Sequence, residues 1–364
     1  MKWSWKIANV AGIDVYLHMT FVILIVWIGL GYWQLAGTVA AVVAGVGFIL
    51  AIFFCVLLHE FGHALTARQF GIRTKSIMLL PIGGIASIEK MPDDPRQEIL
   101  IALAGPAVSA AIALVLWMLL SASSGLLALE ELSITGGSFL QRLMVVNILL
   151  AAFNMLPAFP MDGGRVFRAL LSLRMEPVKA TRIAAAVAQA FALLMAVLGF
   201  RYNLFLVFIA VFIWIGAASE SSMASVKFAL SGLSAGKAML TDFQVLQPDE
   251  SLARAVELTL SGTQKDFPVI AGDQVVGVLR QSDLLRGLHD HGKLRRVDQE
   301  MQGDVPQADI SEPLEAVMER IQAEDSALLI VTDGGRLAGI IDTENILELL
   351  RIQKALQEHD EHRW

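Results

Sequence analysis

Leu57-Leu58-His59-Glu60-Phe61-Gly62-His63 closes a run, Val15 to Leu58, that contains no Asp, Glu, Lys or Arg. A metal-site sequence thus sits at the end of a membrane-grade apolar stretch. Ionisable groups at that depth are costly and are functional by default. On a helix, His59 and His63 are i and i+4 and project from one face, where two imidazoles can grip one Zn²⁺ while Glu60 stands beside them as a general base. The composition agrees: 55% of residues are hydrophobic, 17% are charged and the mean hydropathy is +0.60, which excludes an ordinary soluble domain.

The apolar excess is uneven. Residues 229–364 carry 13 Lys and Arg against 24 Asp and Glu, so an acidic soluble module follows an apolar domain over 1–228. That charge balance gives a nucleic-acid partner no footing, and none is expected. Cys55, the only cysteine, reads as a small packed side chain and not a ligand.

A span needs about 20 apolar residues. Val15–Leu58 is too long for one helix, and Gly29, Gly31 and Gly37 around Tyr32-Trp33-Gln34 suggest a break, giving helices near 16–33 and 39–66. Further candidates are Ile99–Leu120, Leu143–Leu156 with a start as early as Phe139, Ile183–Phe200 and Asn203–Ser219. The expectation is a polytopic α-helical membrane protein of about six transmembrane helices. Lys2, Lys6, Arg68, Arg73, Lys75, Lys90, Arg96, Arg165, Arg168, Arg174, Lys179 and Arg182 all fall on one side of this map. Both termini are therefore predicted to be cytoplasmic, with the histidine pair near the inner end of the second span. No cleavage pattern marks the N-terminus as a signal peptide.

Two histidines do not complete a catalytic zinc site, which needs a third protein ligand and an open position. Asn154-Met-Leu-Pro157-Ala-Phe-Pro160-Met-Asp162-Gly163-Gly164 lies at the same predicted depth, and Asp162 is the only carboxylate between Glu131 and Glu176. The prolines unwind the helix end and the glycines permit a tight turn after the aspartate. Taken alone, the same residues also read as loop punctuation at an interfacial helix end.

The two motifs together resemble the site-2 proteases, the intramembrane zinc metalloproteases, over about residues 8–220. The resemblance implies His59, His63 and Asp162 as zinc ligands, Glu60 as the catalytic base, and Asn154 as a residue that orients substrate or stabilises an oxyanion. Ile77–Ile88, apolar but too short to span, resembles the family's re-entrant β element, with Gly83 and Gly84 where an unwound substrate would pair. A buried hairpin that only packs on the second span is the other reading. Gly105-Pro106 matches the family's Gly-Pro step, but Ser109 stands where that family often has Asn, so this segment reads as a structural kink. Asn147 reads as a polar tie to a neighbouring helix.

From Ser231-Gly232 onward an internal repeat appears. Val245–Val256, Phe267–Ile270 and Gly277–Leu285 recur as Ile310–Val317, Ala327–Val331 and Gly339–Leu347, with hairpin turns at 271–273 and 333–335. This α/β half resembles a tandem CBS domain, with copies at about 236–295 and 300–352. Such pairs commonly hold an adenine nucleotide. Here only Asp283 keeps the acid expected to bind ribose; Arg280, Asp342 and Asn345 depart from the pattern. The opposing reading is a homodimerisation or substrate-docking module. His359-Asp-Glu-His362 reads as a charged tail.

The sequence thus points to a membrane protease that cuts a peptide bond in or near a transmembrane segment of another protein, in the lipid bilayer, under possible control of its CBS pair. A CBS-regulated channel or transporter is the alternative. It expects ionisable residues spread along a path, whereas these gather at one locus.

Overall fold

Ile13-Asp14-Val15-Tyr16-Leu17-His18 alternates apolar and polar side chains, the period of a strand with one covered face. In the computed structural model, which describes residues 3–81, 83–88, 92, 94–124, 137–323 and 328–361, this segment is strand β2 (Ile13–His18), paired antiparallel with β1 (Ser4–Val10). Ala11 and Gly12, with φ of 55° and 83°, make the left-handed turn that a tight hairpin needs. The expected first span, near 16–33, takes in Tyr16–His18, and the structure corrects this. Val15 is fully buried beneath the sheet.

The first apolar helix, α1, runs Met19–Ala36. His18 caps its start through Thr20 N–H, and Gly37, at φ 63°, ends it with a bond to the Trp33 carbonyl. Thr38 then caps α2 (Val39–Gln69). The break falls a few residues beyond the expected one because Gly37, and not Gly29 or Gly31, takes the left-handed conformation. Gly45 on α2 has the Tyr32 ring of α1 against its Cα, a contact that a larger residue would block.

Two more strands follow, β3 (Thr74–Leu80) and β4 (Gly83–Ile88). They complete a four-stranded sheet in the order β1-β2-β3-β4, with β2 and β3 parallel and β4 at an edge. Ile13, Val15 and Ile77 pack under it on Phe61 and Ala64 of α2, so the sheet is fixed beside the histidine pair.

Next come α3 (Pro95–Ser124), α4 (Phe139–Asn154), α5 (Asp162–Ser172), α6 (Pro177–Tyr202) and α7 (Leu204–Leu230). Among the described residues, five helices, α1, α2, α3, α6 and α7, are long and apolar enough to cross a membrane. Helix α4 begins at Phe139 with a Ser138–Gln141 capping box and has 16 residues, about 24 Å at 1.5 Å per residue. Arg142 at its start lies over the Phe48 ring at 4.6 Å. Buried Cys55 packs with Phe48 and Met144, between α2 and α4. Ala184, Ala188 and Ala192 of α6 and Ala210, Ile213 and Ala217 of α7 share one buried cluster with Ala158, Phe159 and Met161.

Beyond Ala224 the chain forms a second unit, Ser225–Trp364. After the short α8 (Ala235–Ala238), it repeats one pattern. Helix α9 (Leu252–Ser261), hairpin β5 (Phe267–Ala271) and β6 (Gln274–Leu279), and α10 (Gln281–His291) make one copy. Strand β7 (Gln307–Asp309), helix α11 (Leu314–Ala323), hairpin β8 (Leu328–Asp333) and β9 (Arg336–Asp342), and α12 (Thr343–Glu361) make the other. The copies exchange lead-in segments. Leu240 exchanges backbone bonds with Ile340 at 2.8 and 3.1 Å, and Gln302 with Val278 at 2.9 Å each way. Ala235 and Ala238 lie in the core built by the later copy. His362 lies outside the described residues.

One buried ion pair ties the helix ends of the first unit. Arg168 on α5 donates through two nitrogens to Glu98 in the first turn of α3, with their side chains 15% and 10% exposed, and its third nitrogen lies 3.6 Å from Glu220 on α7. Removing one member of such a pair strands a buried charge. Arg168→Ala is expected to destabilise the protein by about 3–5 kcal/mol, read as a lower Tm in detergent, whereas pairing Arg168→Met with Glu98→Gln restores most of the loss.

Candidate metal centre

Helix α2 presents His59 and His63 one turn apart, 3% and 7% exposed, with their rings edge to face at 4.9 Å. Asp162, at the first position of α5, meets them. His59 Nε2, His63 Nε2 and Asp162 Oδ2 form a triangle with all three edges 3.2 Å. Zinc bound at about 2.0–2.1 Å with tetrahedral angles separates its ligand atoms by about 3.3–3.4 Å. The triangle therefore has the size of one face of such a coordination shell.

The opposite ring nitrogens are held. His63 Nδ1 lies 2.7 Å from the Ile101 carbonyl, which can only accept, so Nδ1 carries the proton and the Nε2 lone pair points into the triangle. His59 Nδ1 lies 3.0 Å from Ser109 Oγ, a hydroxyl that is wholly buried. The carbonyl fixes the tautomer of His63, and the hydroxyl, which can donate or accept, holds the orientation of the His59 ring. With two imidazole nitrogens and a carboxylate oxygen converging, the donor set fits a divalent cation with a position left open.

Both supporting groups come from α3, and so does the space. A Cβ on Gly105 would lie 2.1 Å from His63 Nε2 and 2.6 Å from His59 Nε2. Ile101, Gly105 and Ser109 are spaced by four and share one face of α3. The reading of Gly105-Pro106 as no more than a kink is thus corrected: α3 continues through Pro106 and lays this face against the histidines. The four-residue spacing was the available signal, hidden because none of the three residues is itself a ligand type at that place.

Gly163 and Gly164 do not turn the chain; they are in the first turn of α5. They are small because Cβ atoms there would lie 2.4 Å from the Met155 and Leu156 carbonyls and 2.6 Å from Phe159 N. The Met155–Met161 segment, with Phe159 fully buried, thereby seats the helix that carries Asp162. Gly216 of α7 gives it room from the other side, against the Pro160 ring.

Glu60 is next to His59 on α2, and the backbone of β4 covers it: a Cβ on Gly84 would lie 2.6 Å from Glu60 Cγ. Gly83 opens β4 at φ 139°, a conformation side chains avoid. Asn154 ends α4, and its amide donates to the Leu150 carbonyl of its own helix at 3.0 Å, not to any of the three donors. Asn147 likewise donates to its own helix, to Leu143 O at 2.9 Å, and its side chain also reaches the Cys55 thiol on α2. In the second unit Asp283 is 3% exposed and accepts from Arg286 at 3.0 Å and from Gln302 at 2.8 Å. Asp342 and Asn345 bond each other's backbone N–H, capping α12.

Known proteins place the chain in a family. The profile of Peptidase family M50 matches residues 47–137 and 130–198, and that of the CBS domain matches 235–290 and 294–352. A zinc metalloprotease of Methanocaldococcus jannaschii is 31% identical over 98% of this chain and 99% of its own. A putative zinc metalloprotease of Synechocystis is 28% identical over 96% of both chains. The solved site-2 protease from M. jannaschii is 35% identical, covering 60% of this chain and 95% of that one with a TM-score of 0.45. The chain belongs to Peptidase family M50, the site-2 proteases. It is an integral-membrane metallopeptidase followed by a CBS pair.

If α3 shapes the centre, Gly105→Ala should abolish bound metal while the protein stays folded, as measured by metal content against a thermal melt. Ser109→Ala should lower metal affinity by about 10–100-fold, measured by competition with a chelator.

Proposed function

We propose that the chain is an intramembrane zinc protease that hydrolyses a peptide bond in or near a transmembrane segment of a membrane-anchored protein. The observation that carries this reading is the 3.2 Å triangle of His59, His63 and Asp162 with Glu60 in the same helical turn. In this reading those three residues hold the zinc, which when bound supplies Lewis acidity toward water and the scissile carbonyl. Glu60 takes the proton from the attacking water and returns it to the leaving amine. Asn154 turns from its own helix to orient substrate or stabilise the oxyanion. Gly83 and Gly84, in edge strand β4 against Glu60, offer backbone groups to an unwound substrate, which places the scissile bond beside the base. That strand is then the re-entrant element.

The same reading counts α4 as a sixth, short span and places both termini and the metal near the cytoplasmic side, following the Lys and Arg bias. The membrane protease domain is 1–228 and the cytoplasmic CBS domain 229–364. The pair acts as a regulatory module, with Asp283 available to an adenine nucleotide or the paired helices to a second copy. The channel reading loses its ground, since the polar groups at membrane depth meet at one centre and the chain belongs to a peptidase family.

Purified protein reconstituted with a membrane-spanning test substrate decides the mechanism. Glu60→Gln should cut the rate by about 10²–10⁴-fold, and chelation should abolish it until zinc is restored. Cleavage that survives Glu60→Gln ends the proposal. For the CBS pair, titration of the full chain with ATP, ADP and AMP should show binding below millimolar concentration that Asp283→Ala weakens; no binding leaves the pair as an assembly module.

A further inference from the structure

We propose that the β1–β2 hairpin is an interfacial anchor whose Trp3 and Trp5 sit in the lipid headgroup region and set the depth of the histidine pair. The argument begins with a length. Helix α1 has 18 residues, about 27 Å, against a hydrocarbon core of about 30 Å. It must use its whole length to cross, so Met19 lies at the membrane boundary. Exposed Val22, Ile23, Val26 and Trp27 follow directly on the lipid side.

The hairpin is tied to that boundary. Met19 N–H donates to the Trp3 carbonyl at 3.0 Å, and Trp5 pairs with Leu17, two residues before the helix. Trp3 and Trp5 are 64% and 57% exposed. The opposite face of the same strands is polar: Lys6 bridges Asp14 at 2.6 Å and Asn9 donates to Asp14 at 2.5 Å. Indoles beside the start of a span, with an ion pair on the reverse face, are what the membrane–water boundary selects. The other end of the apolar face, Ile13 and Val15, is packed on Phe61 and Ala64 of α2, between and beyond His59 and His63. Fixing the hairpin in the interface therefore fixes the depth of the metal centre, whatever reaction that centre performs.

Nitroxide labels test this in the full chain, in liposomes of phosphatidylcholine and phosphatidylglycerol, on a Cys55→Ala background carrying Trp3→Cys, Trp5→Cys, Lys6→Cys or Asn9→Cys singly. Labels at 3 and 5 should be more accessible to oxygen than to a water-soluble nickel chelate, with the order reversed at 6 and 9. Chelate accessibility at 3 and 5 equal to that at 6 and 9 overturns the proposal, and so does exclusion of both reagents, which would mean that protein covers the face. Because a cysteine could loosen the hairpin, a second measurement keeps the strand intact. The emission lost in the Trp3→Phe, Trp5→Phe double variant should be quenched more by lipids brominated near the headgroup than by lipids brominated at the chain end. Equal or absent quenching also overturns it.

Discussion

Three donor atoms face one another at 3.2 Å inside the first unit, and lone pairs at that spacing repel until a cation or protons enter between them. The rest of the membrane unit holds them there. Helix α2 supplies two donors by its own periodicity. The third belongs to a separate helix and is brought up by contact alone. Between them α3 offers a hydroxyl, a carbonyl and a missing side chain, at Ser109, Ile101 and Gly105. A single methyl group at Gly105 would occupy the space where the two histidine nitrogens meet.

The third donor depends on how α5 is seated. Asp162 stands at its first position, and two glycines let that turn lie on the backbone of 155–159. Two turns on, Arg168 grips Glu98 and lies 5.7 Å from the Phe159 ring centre, so the same residue ties α5 both to α3 and to the segment under its own start. A buried pair of this kind adds little net stability over an apolar one. What it supplies is direction, since a guanidinium holding one carboxylate oxygen through two nitrogens fixes helix rotation more narrowly than apolar contact does. Rotating α5 by a fraction of a turn would carry Asp162 out of the triangle.

What could be read from the chain follows from how local the signal is. His59, Glu60 and His63 lie within one helical turn, so spacing alone announces them; Asp162 needed both its position in the span map and a resemblance to be chosen. The CBS repeat was legible because each copy carries its own turn and helix signals. Ser109 and Gly105 were not, since a serine and a glycine in an apolar helix say nothing until the helix beside them is known. The hairpin at 4–18 was missed for a different reason: Val15–His18 carries no charge and runs straight into the apolar helix that follows, so the charge-free stretch hides the end of the strand.

In the second unit the two copies share one frame, offset by 62 residues: Met239 packs on Gly339 as Met301 packs on Gly277. Their polar residues do not follow that symmetry. Asp342 and Asn345 bond each other across the start of α12, so this carboxylate already has an N–H partner in its own turn. Its counterpart region in the first copy leaves Asp283 to Arg286 and Gln302, whose amide comes from the exchanged segment. A side-chain amide on a carboxylate contributes about 1.5–3 kcal/mol, and here it ties the exchanged segment to the first copy. The two copies therefore differ at this place: Asp283 is held by two side chains in the first, while Asn345, 62 residues on, turns to the backbone of its own helix start in the second.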